Sequence, residues 1–227
     1  MKKIGVVVAI EIDALLSKYG TPCETIYTHG RTVSVYKNED FELYAVDTGA
    51  GEIAAASGTQ LLISEFGVDM IMNFGVVGAL TEEMTTAELC VVEKVVHYDF
   101  ETSGWYNLAR GQYPGQDSAY VCPTPELVQK AMEVYPKLRK VSCASADKFV
   151  SEAADKKRLH EELNADICEM ESAGILLTCL RCEIPCLFIK AVSDSLTGGG
   201  AEFMSELGRV SEICFDALDE IIREIDL

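Results

Sequence analysis

An apolar run, Ile184-Pro185-Cys186-Leu187-Phe188-Ile189-Lys190-Ala191-Val192, ends in Ser193-Asp194. Its length and composition predict an interior β-strand, which would set Asp194 at the strand's carboxyl edge. Upstream, Glu169-Met170-Glu171 opens a helical pattern running to about Cys182. One αβ unit therefore ties a carboxylate pair to a strand-end acid, and ligands of open α/β sheets bind beyond the carboxyl ends of strands. Carboxylates placed there can act as general acids, general bases or acceptors for sugar hydroxyls. Three other apolar runs also end in unusual residues. The first gives way to Ile10-Glu11-Ile12-Asp13, the second to Asp47-Thr48-Gly49-Ala50-Gly51, and the third to Asn73-Phe74-Gly75-Val76-Val77-Gly78. Glycines after strands let backbone approach a ligand closely, and four such ends predict one shared cleft.

Strand-like segments recur near residues 3–9, 42–48, 68–74, 88–96, 140–145 and 184–193. Helical patterns cover 52–66, 124–135, 153–163 and 169–182. In a last helix Phe203, Leu207, Val210, Ile213, Ala217, Leu218, Ile221, Ile222 and Ile225 form one apolar stripe. Strands alternating with helices predict a mainly parallel sheet layered with helices. No repeat or linker interrupts residues 1–227, which read as a single domain. The longest irregular stretch, 101–121, is of the length that often carries function.

The formal net charge is −18, so no basic surface is available to displace phosphate counterions, and nucleic acid is not expected as a partner. No apolar stretch is long enough to span a bilayer, and Glu11 and Asp13 interrupt the N-terminal run too early for a signal peptide. Nine cysteines without an export signal predict reduced thiols in the cytoplasm. Cys179, Cys182 and Cys186 form a C-x2-C-x3-C run, which is open to a metal or a core-packing reading. The chain has three histidines, so His97 and Asp99 do not predict a multi-histidine metal site.

Taken in order, these motifs resemble the nucleoside phosphorylase/nucleosidase superfamily. Within it they look most like 5′-methylthioadenosine/S-adenosylhomocysteine nucleosidases. The resemblance runs through Lys3-Ile4-Gly5, Thr48-Gly49-Ala50-Gly51, Asn73-x-Gly75-x-x-Gly78, His97-x-Asp99 and Gly111-Gln112-x-Pro114-Gly115. It continues through Ser145-x-Asp147-x-Phe149-Val150, Glu169-Met170-Glu171 and Ser193-Asp194. It implies a three-layer α/β/α sandwich with a central mixed, largely parallel sheet, and a small purine nucleoside as substrate. Asp194, beside Ser193, matches the general acid that protonates or hydrogen-bonds adenine N7 as the glycosidic bond breaks. A desolvated carboxyl is needed to donate at neutral pH. Glu171, with Glu169 two residues before it, matches the carboxylate that holds the ribose hydroxyls, and Met170 the side chain packed on the sugar. Phe149 matches the ring stacked on the base, and Val150 the backbone that reads the adenine edge. The resemblance also implies a homodimer whose 101–121 loop closes over the partner's pocket. Trp105, Tyr106 and Pro114 would line the 5′ pocket in trans, with Ile10 and Phe203 in cis. No cofactor and no metal are implied.

The water-activating corner departs from the family pattern. Asp13 stands where the family places a glutamate base, Val76 where it places a serine, and Lys190 where it places an arginine. Lys190 keeps the charge but loses the planar fork. Three readings stay open. In the first, Asp13, with Glu11 as a possible helper, pairs with Lys190 and reaches a shifted water. The others are a changed substrate or nucleophile, and a nucleoside binder with little turnover. Phosphorolysis needs an anion site, and the Asn73–Leu80 loop carries neither a basic residue nor a hydroxyl; Arg31 is the only early arginine. The expected activity is hydrolysis of the N-glycosidic bond of a 5′-modified adenosine.

Overall fold

The computed structural model describes residues 1–225. In chain order the elements are β1 (Lys2–Val8), α1 (Ile12–Tyr19), β2 (Glu24–Thr28), β3 (Arg31–Lys37), β4 (Phe41–Asp47) and α2 (Glu52–Leu61). The last of these continues through a wider π turn, Leu62–Phe66. Then come β5 (Met70–Ala79), β6 (Leu89–His97), β7 (Tyr120–Val121), α3 (Pro125–Val134) and β8 (Arg139–Ser145). The chain closes with α4 (Ala153–Leu163), β9 (Ile167–Glu169), α5 (Ser172–Cys182), β10 (Cys186–Asp194) and α6 (Gly199–Glu224).

All ten strands join one mixed sheet. Its frame is parallel: β1 lies between β4 and β5, β10 runs beside β5, and β6 runs beside β8. Antiparallel pairs add β10 to β6 and β9 to β5, so β10, β6, β8, β9 and β5 close on themselves. Every residue of β5 and β10 is buried, as expected for strands covered on both faces. One apolar layer joins the sheet to α1, α3 and α6, and a second joins it to α2 and α5. In α6, Val210, Cys214, Phe215, Leu218, Ile221 and Ile222 are buried. The Phe215 ring centre lies 4.8 Å from that of Phe74 on β5 and 5.5 Å from that of Tyr19 on α1.

Several short elements carry no pattern that predicts them. The β2–β3 hairpin turns through His29 and Gly30, both at positive φ, the geometry of a tight two-residue hairpin loop without the usual Asn-Gly signal. The helix predicted from residue 169 begins instead at Ser172, because Glu169 is the last residue of β9. Cys179 on α5 and Cys186 on β10 pack into the apolar layer between helix and sheet.

Phe215→Ala deletes a ring shared by β5, α1 and α6. It should cost about 3–5 kcal/mol, read as a fall in the urea midpoint with little change in m. A loss below about 1 kcal/mol, the range of a surface change, would mean that this layer does not anchor the helix.

Candidate active site

A cleft of about 440 Å³ opens at the carboxyl ends of β1, β5 and β10. Its walls are Ala9, Ile10 and Glu11 after β1, Ala50 before α2, and Val76, Val77 and Gly78 on β5. Phe149, the Cys168–Glu171 segment, Ser193, Asp194 and Phe203 complete it.

Asp194 is 2% exposed. Its Oδ2 lies 2.5 Å from the Nζ of Lys156, a residue of α4 with no exposed surface. Lys156 Nζ also donates to the Ser195 carbonyl at 2.7 Å, and the Ser193 hydroxyl lies 2.9 Å from Asp194 Oδ1. Burial raises the Asp194 pKa, and the opposing pull of Lys156 does not cancel it. The strand is irregular here: register with β5 shifts between Val192 and Asp194. Such a shift can re-aim side chains at a strand end. Lys156 carried no signal in the sequence, because Asp155-Lys156-Lys157-Arg158 has the composition of a solvated helix face.

Across the cleft lies a second buried ion pair. Lys190 Nζ sits 3.2 Å from Glu169 Oε2, which also accepts from the Ser172 amide and hydroxyl, each at 2.9 Å. Burial alone would raise the Glu169 pKa; Lys190 and the hydroxyls outweigh it and hold the group below the usual carboxylate range. Burial likewise works against the Lys190 charge, and the carboxylates around it, Glu169 first, hold its pKa above the ordinary value. Glu171 has no such partner. Its Oε1 accepts the Gly51 amide at 2.9 Å, while burial and the Glu169 charge push its pKa up to about 7. Gly51 is at φ 108, and a Cβ there would lie 2.8 Å from Asp147 Oδ1, so the loop that grips Glu171 requires glycine. Behind this pair, Glu52 at the start of α2 is pushed up to about 9 by burial and by Glu169. Its carboxyl meets the Ser145 hydroxyl at 2.5 Å and the Gly174 amide.

The corner expected to activate water differs from the expectation in two respects. Asp13 does not face the cleft: it lies exposed in the first turn of α1. Glu11, 6% exposed, fills the corner instead. Its Oε1 accepts the Val76 amide at 2.9 Å and its Oε2 the Ile10 amide at 3.0 Å. The amide thus donates where the Val76 side chain cannot. A Cβ on Gly75 would lie 2.9 Å from Glu11 Oε1 and 3.5 Å from Lys190 Nζ, so this glycine lets both groups approach the strand. Lys190 pairs with Glu169, and not with Asp13 as the first of the three readings has it. The cause is local: Ile12 opens α1, and the helical turn carries Asp13 away from the strand end.

The profile described as the phosphorylase superfamily matches residues 3–223. The chain belongs to this superfamily. A Campylobacter jejuni aminodeoxyfutalosine nucleosidase is 31% identical over 172 residues, which is 74% of this chain and 73% of the relative. A Staphylococcus aureus 5′-methylthioadenosine/S-adenosylhomocysteine nucleosidase is 28% identical over 212 residues, 89% of this chain and 90% of the relative. Among solved structures, a Helicobacter pylori 5′-methylthioadenosine/S-adenosylhomocysteine nucleosidase covers 99% of both chains at 24% identity with a TM-score of 0.93. At that identity the likeness speaks for the fold.

In this phosphorylase-superfamily chain, nine residues expected at the site line one cleft: Ile10, Val76, Phe149, Glu169, Met170, Glu171, Ser193, Asp194 and Phe203. Phe149 and Phe203 meet edge-on, ring centres 5.1 Å apart, at the mouth. The Val150 side chain is buried beyond the cleft, in a neighbouring hollow with Tyr98 and Leu159. Trp105, Tyr106 and Pro114 lie on exposed surface of the 101–121 loop. His97 bridges Asp99 at 2.7 Å and Tyr113 at 2.7 Å, away from the cleft. Arg31 holds the Thr48 and Ala54 carbonyls. Cys168, absent from the expected set, adds a thiol to the wall.

The raised Glu52 carboxyl sets a pH dependence of stability. The folded state holds this proton more tightly than the unfolded chain, so its contribution is present at low pH and is lost between about 4.5 and about 9. Glu52→Gln mimics the protonated acid. Its melting temperature should match wild type near pH 5 and exceed it increasingly toward pH 9. Parallel curves would show that Glu52 is ionised in the fold.

Proposed function

We propose that the chain hydrolyses the N-glycosidic bond of 5′-modified adenosines, releasing adenine and the free ribose derivative. The observation that carries this reading is the convergence of Asp194, Glu171 and Glu11 on one cleft beside Phe149 and Met170. Asp194, desolvated and raised in pKa, supplies a proton to the purine N7 as the base departs. Glu171 accepts the ribose hydroxyls, and Met170 packs on the sugar. The base lies against Phe149, with the Val150 backbone at its edge. Glu11, anchored by the Val76 amide, takes over the base role expected of Asp13 and prepares water. Bond breaking leaves positive charge on the sugar, and the carboxylates around the cleft stabilise it.

The same charge argues against phosphate as nucleophile. Glu11, Glu169, Glu171 and Asp194 surround the cleft, and both buried ammonium groups are already paired, Lys190 with Glu169 and Lys156 with Asp194. Relatives named for aminodeoxyfutalosine and for methylthioadenosine leave two 5′ substituents as candidates. A second copy of the chain is proposed to cover the face where Ile53, 81% exposed, lies near Tyr113 of the 101–121 loop, with that loop at the interface. No helix among the described residues is long and apolar enough to cross a membrane. The nine free thiols fit a reducing cytoplasm.

Incubation with methylthioadenosine or aminodeoxyfutalosine in phosphate-free buffer should release adenine. A strict need for phosphate would make the chain a phosphorylase, and tight binding without release would make it a binder. Asp194→Asn should bind substrate yet lose about 10²–10⁴-fold in kcat. Glu11→Gln should lose a similar factor while Asp13→Asn stays near wild type; the reverse order would return the base role to Asp13. Ile53→Glu should shift the sedimentation mass from dimer to monomer, and an unchanged mass would place the interface elsewhere.

A further inference from the structure

Lys156 has no part in the reaction as described, yet it is the closest charged group to the proposed acid. It is wholly buried, its Nζ lies 2.5 Å from Asp194 Oδ2, and Asp194 is the one acid bridged to it among the described residues. A buried pair of this kind contributes little net stability relative to apolar packing, so its presence beside a reacting group calls for another role. An acid in contact with an ammonium group also poses a chemical problem. With the pair's proton on nitrogen, Asp194 is a carboxylate and has to regain a proton before it can donate to N7.

We propose that Lys156 is a positioning residue that stores the leaving-group proton and hands it to the base through Asp194. The inference rests on the reading of Asp194 as general acid. As the C1′–N9 bond breaks, its electron pair passes into the purine. A proton moves from Lys156 Nζ to the Asp194 carboxylate, and Asp194 gives a proton to N7. Lys156 is left as a neutral amine and adenine leaves neutral. Water adds to the sugar cation and its surplus proton goes to Glu11 and then to solvent. Lys156 is recharged through Asp194 once the cleft empties. Burial raises the Asp194 pKa against the opposing pull of Lys156, which favours the carboxyl as acceptor.

The other groups facing the pair are compatible with this exchange. The Cys168 thiol on β9 approaches from one side, its own pKa raised by burial to about 12. Ser193 on β10 contacts Oδ1. On α6, Glu202 adds negative charge that favours the protonated acid, and its own oxygens are held by Ser195 and Thr86. Gly78 on β5 brings no charge and leaves room: a Cβ there would lie 3.1 Å from Asp194 Oδ2.

The test compares kcat and KM for adenine release across pH in wild type, Lys156→Met, Lys156→Arg, Asp194→Asn and the Asp194→Asn/Lys156→Met double variant. Folding is checked by thermal unfolding and by adenine binding. Lys156→Met should lose about 10²-fold in kcat near pH 8 with little change in KM, and should recover as the pH falls, because Asp194 must then take its proton from solvent. Lys156→Arg keeps the charge but cannot yield a proton, so it should stay slow. The double variant should be no slower than Asp194→Asn, since Lys156 acts through Asp194. Recovery by arginine, an unshifted basic limb in Lys156→Met, or additive losses in the double variant would each overturn the proposal and leave a structural ion pair. Should the Lys156 variants fail to fold, single turnovers of wild type in mixtures of light and heavy water decide the matter. A curved dependence supports two protons in flight, and a linear one overturns the relay. No adenine release from wild type would overturn the hydrolase reading itself; release with any of the overturning results above removes the relay alone.

Discussion

Removing carboxylates from water, and the limited supply of cations to offset it, is the constraint on which the site depends. Around the cleft lie Glu11, Glu169, Glu171 and Asp194, with Lys190 and Lys156 as the buried cations. A buried, unpaired carboxylate is costly, and it answers by changing its pKa or by recruiting hydrogen bonds. Each of the four does so differently. Glu169 takes the ammonium of Lys190 and two donors from Ser172 and stays ionised. Glu171 takes one backbone amide and rises to about 7. Asp194 shares Lys156, and Glu11 is held by two backbone amides. One fold thereby holds carboxyls in different protonation states within one cleft, which is what acid and base chemistry at a single centre requires.

The architecture supplies the dryness this needs. β5 and β10 are covered on both faces, and their register places Lys190 opposite Gly75 and Asp194 opposite Gly78. The charged groups therefore emerge at the end of a fully buried strand pair, where the helices stop covering the sheet. Phe215 ties α6 to β5, and so couples the helix bearing Phe203 and Glu202 to the strand that frames the cleft. Glycine at 75 serves a related purpose, since a side chain there would displace Glu11, and glycine at 51 leaves room for Asp147 beside the loop that holds Glu171.

Much of this was legible in the sequence because the signals were local. The β10 run, the acid at its end and the α6 stripe follow from hydrophobic pattern alone. Glu169-Met170-Glu171 and the glycine loops carry their chemistry in consecutive residues. The failures came from tertiary placement. Lys156 sits in a charged tetrapeptide that reads as solvent-facing, but the fold brings it against Asp194, Ser195 and Gly78, where it is wholly buried. Motif order favoured Asp13, but a helix starting at Ile12 turns that residue outward and leaves Glu11 at the strand end. The β2–β3 hairpin is not legible in the pattern because its turn residues, His29-Gly30, carry only half of the usual signal.

The central claim is that a dry, carboxylate-rich cleft stabilises positive charge on the ribose. Calorimetry tests it directly with two adenine nucleoside analogues of the same shape, one with a protonated pyrrolidine in place of the ribose ring and one with a neutral ring. The expected result is that the cation binds at least about 10²-fold more tightly. Equal affinities would contradict the claim, because they would show that the cleft recognises the nucleoside without being built for the charge that develops as its bond breaks.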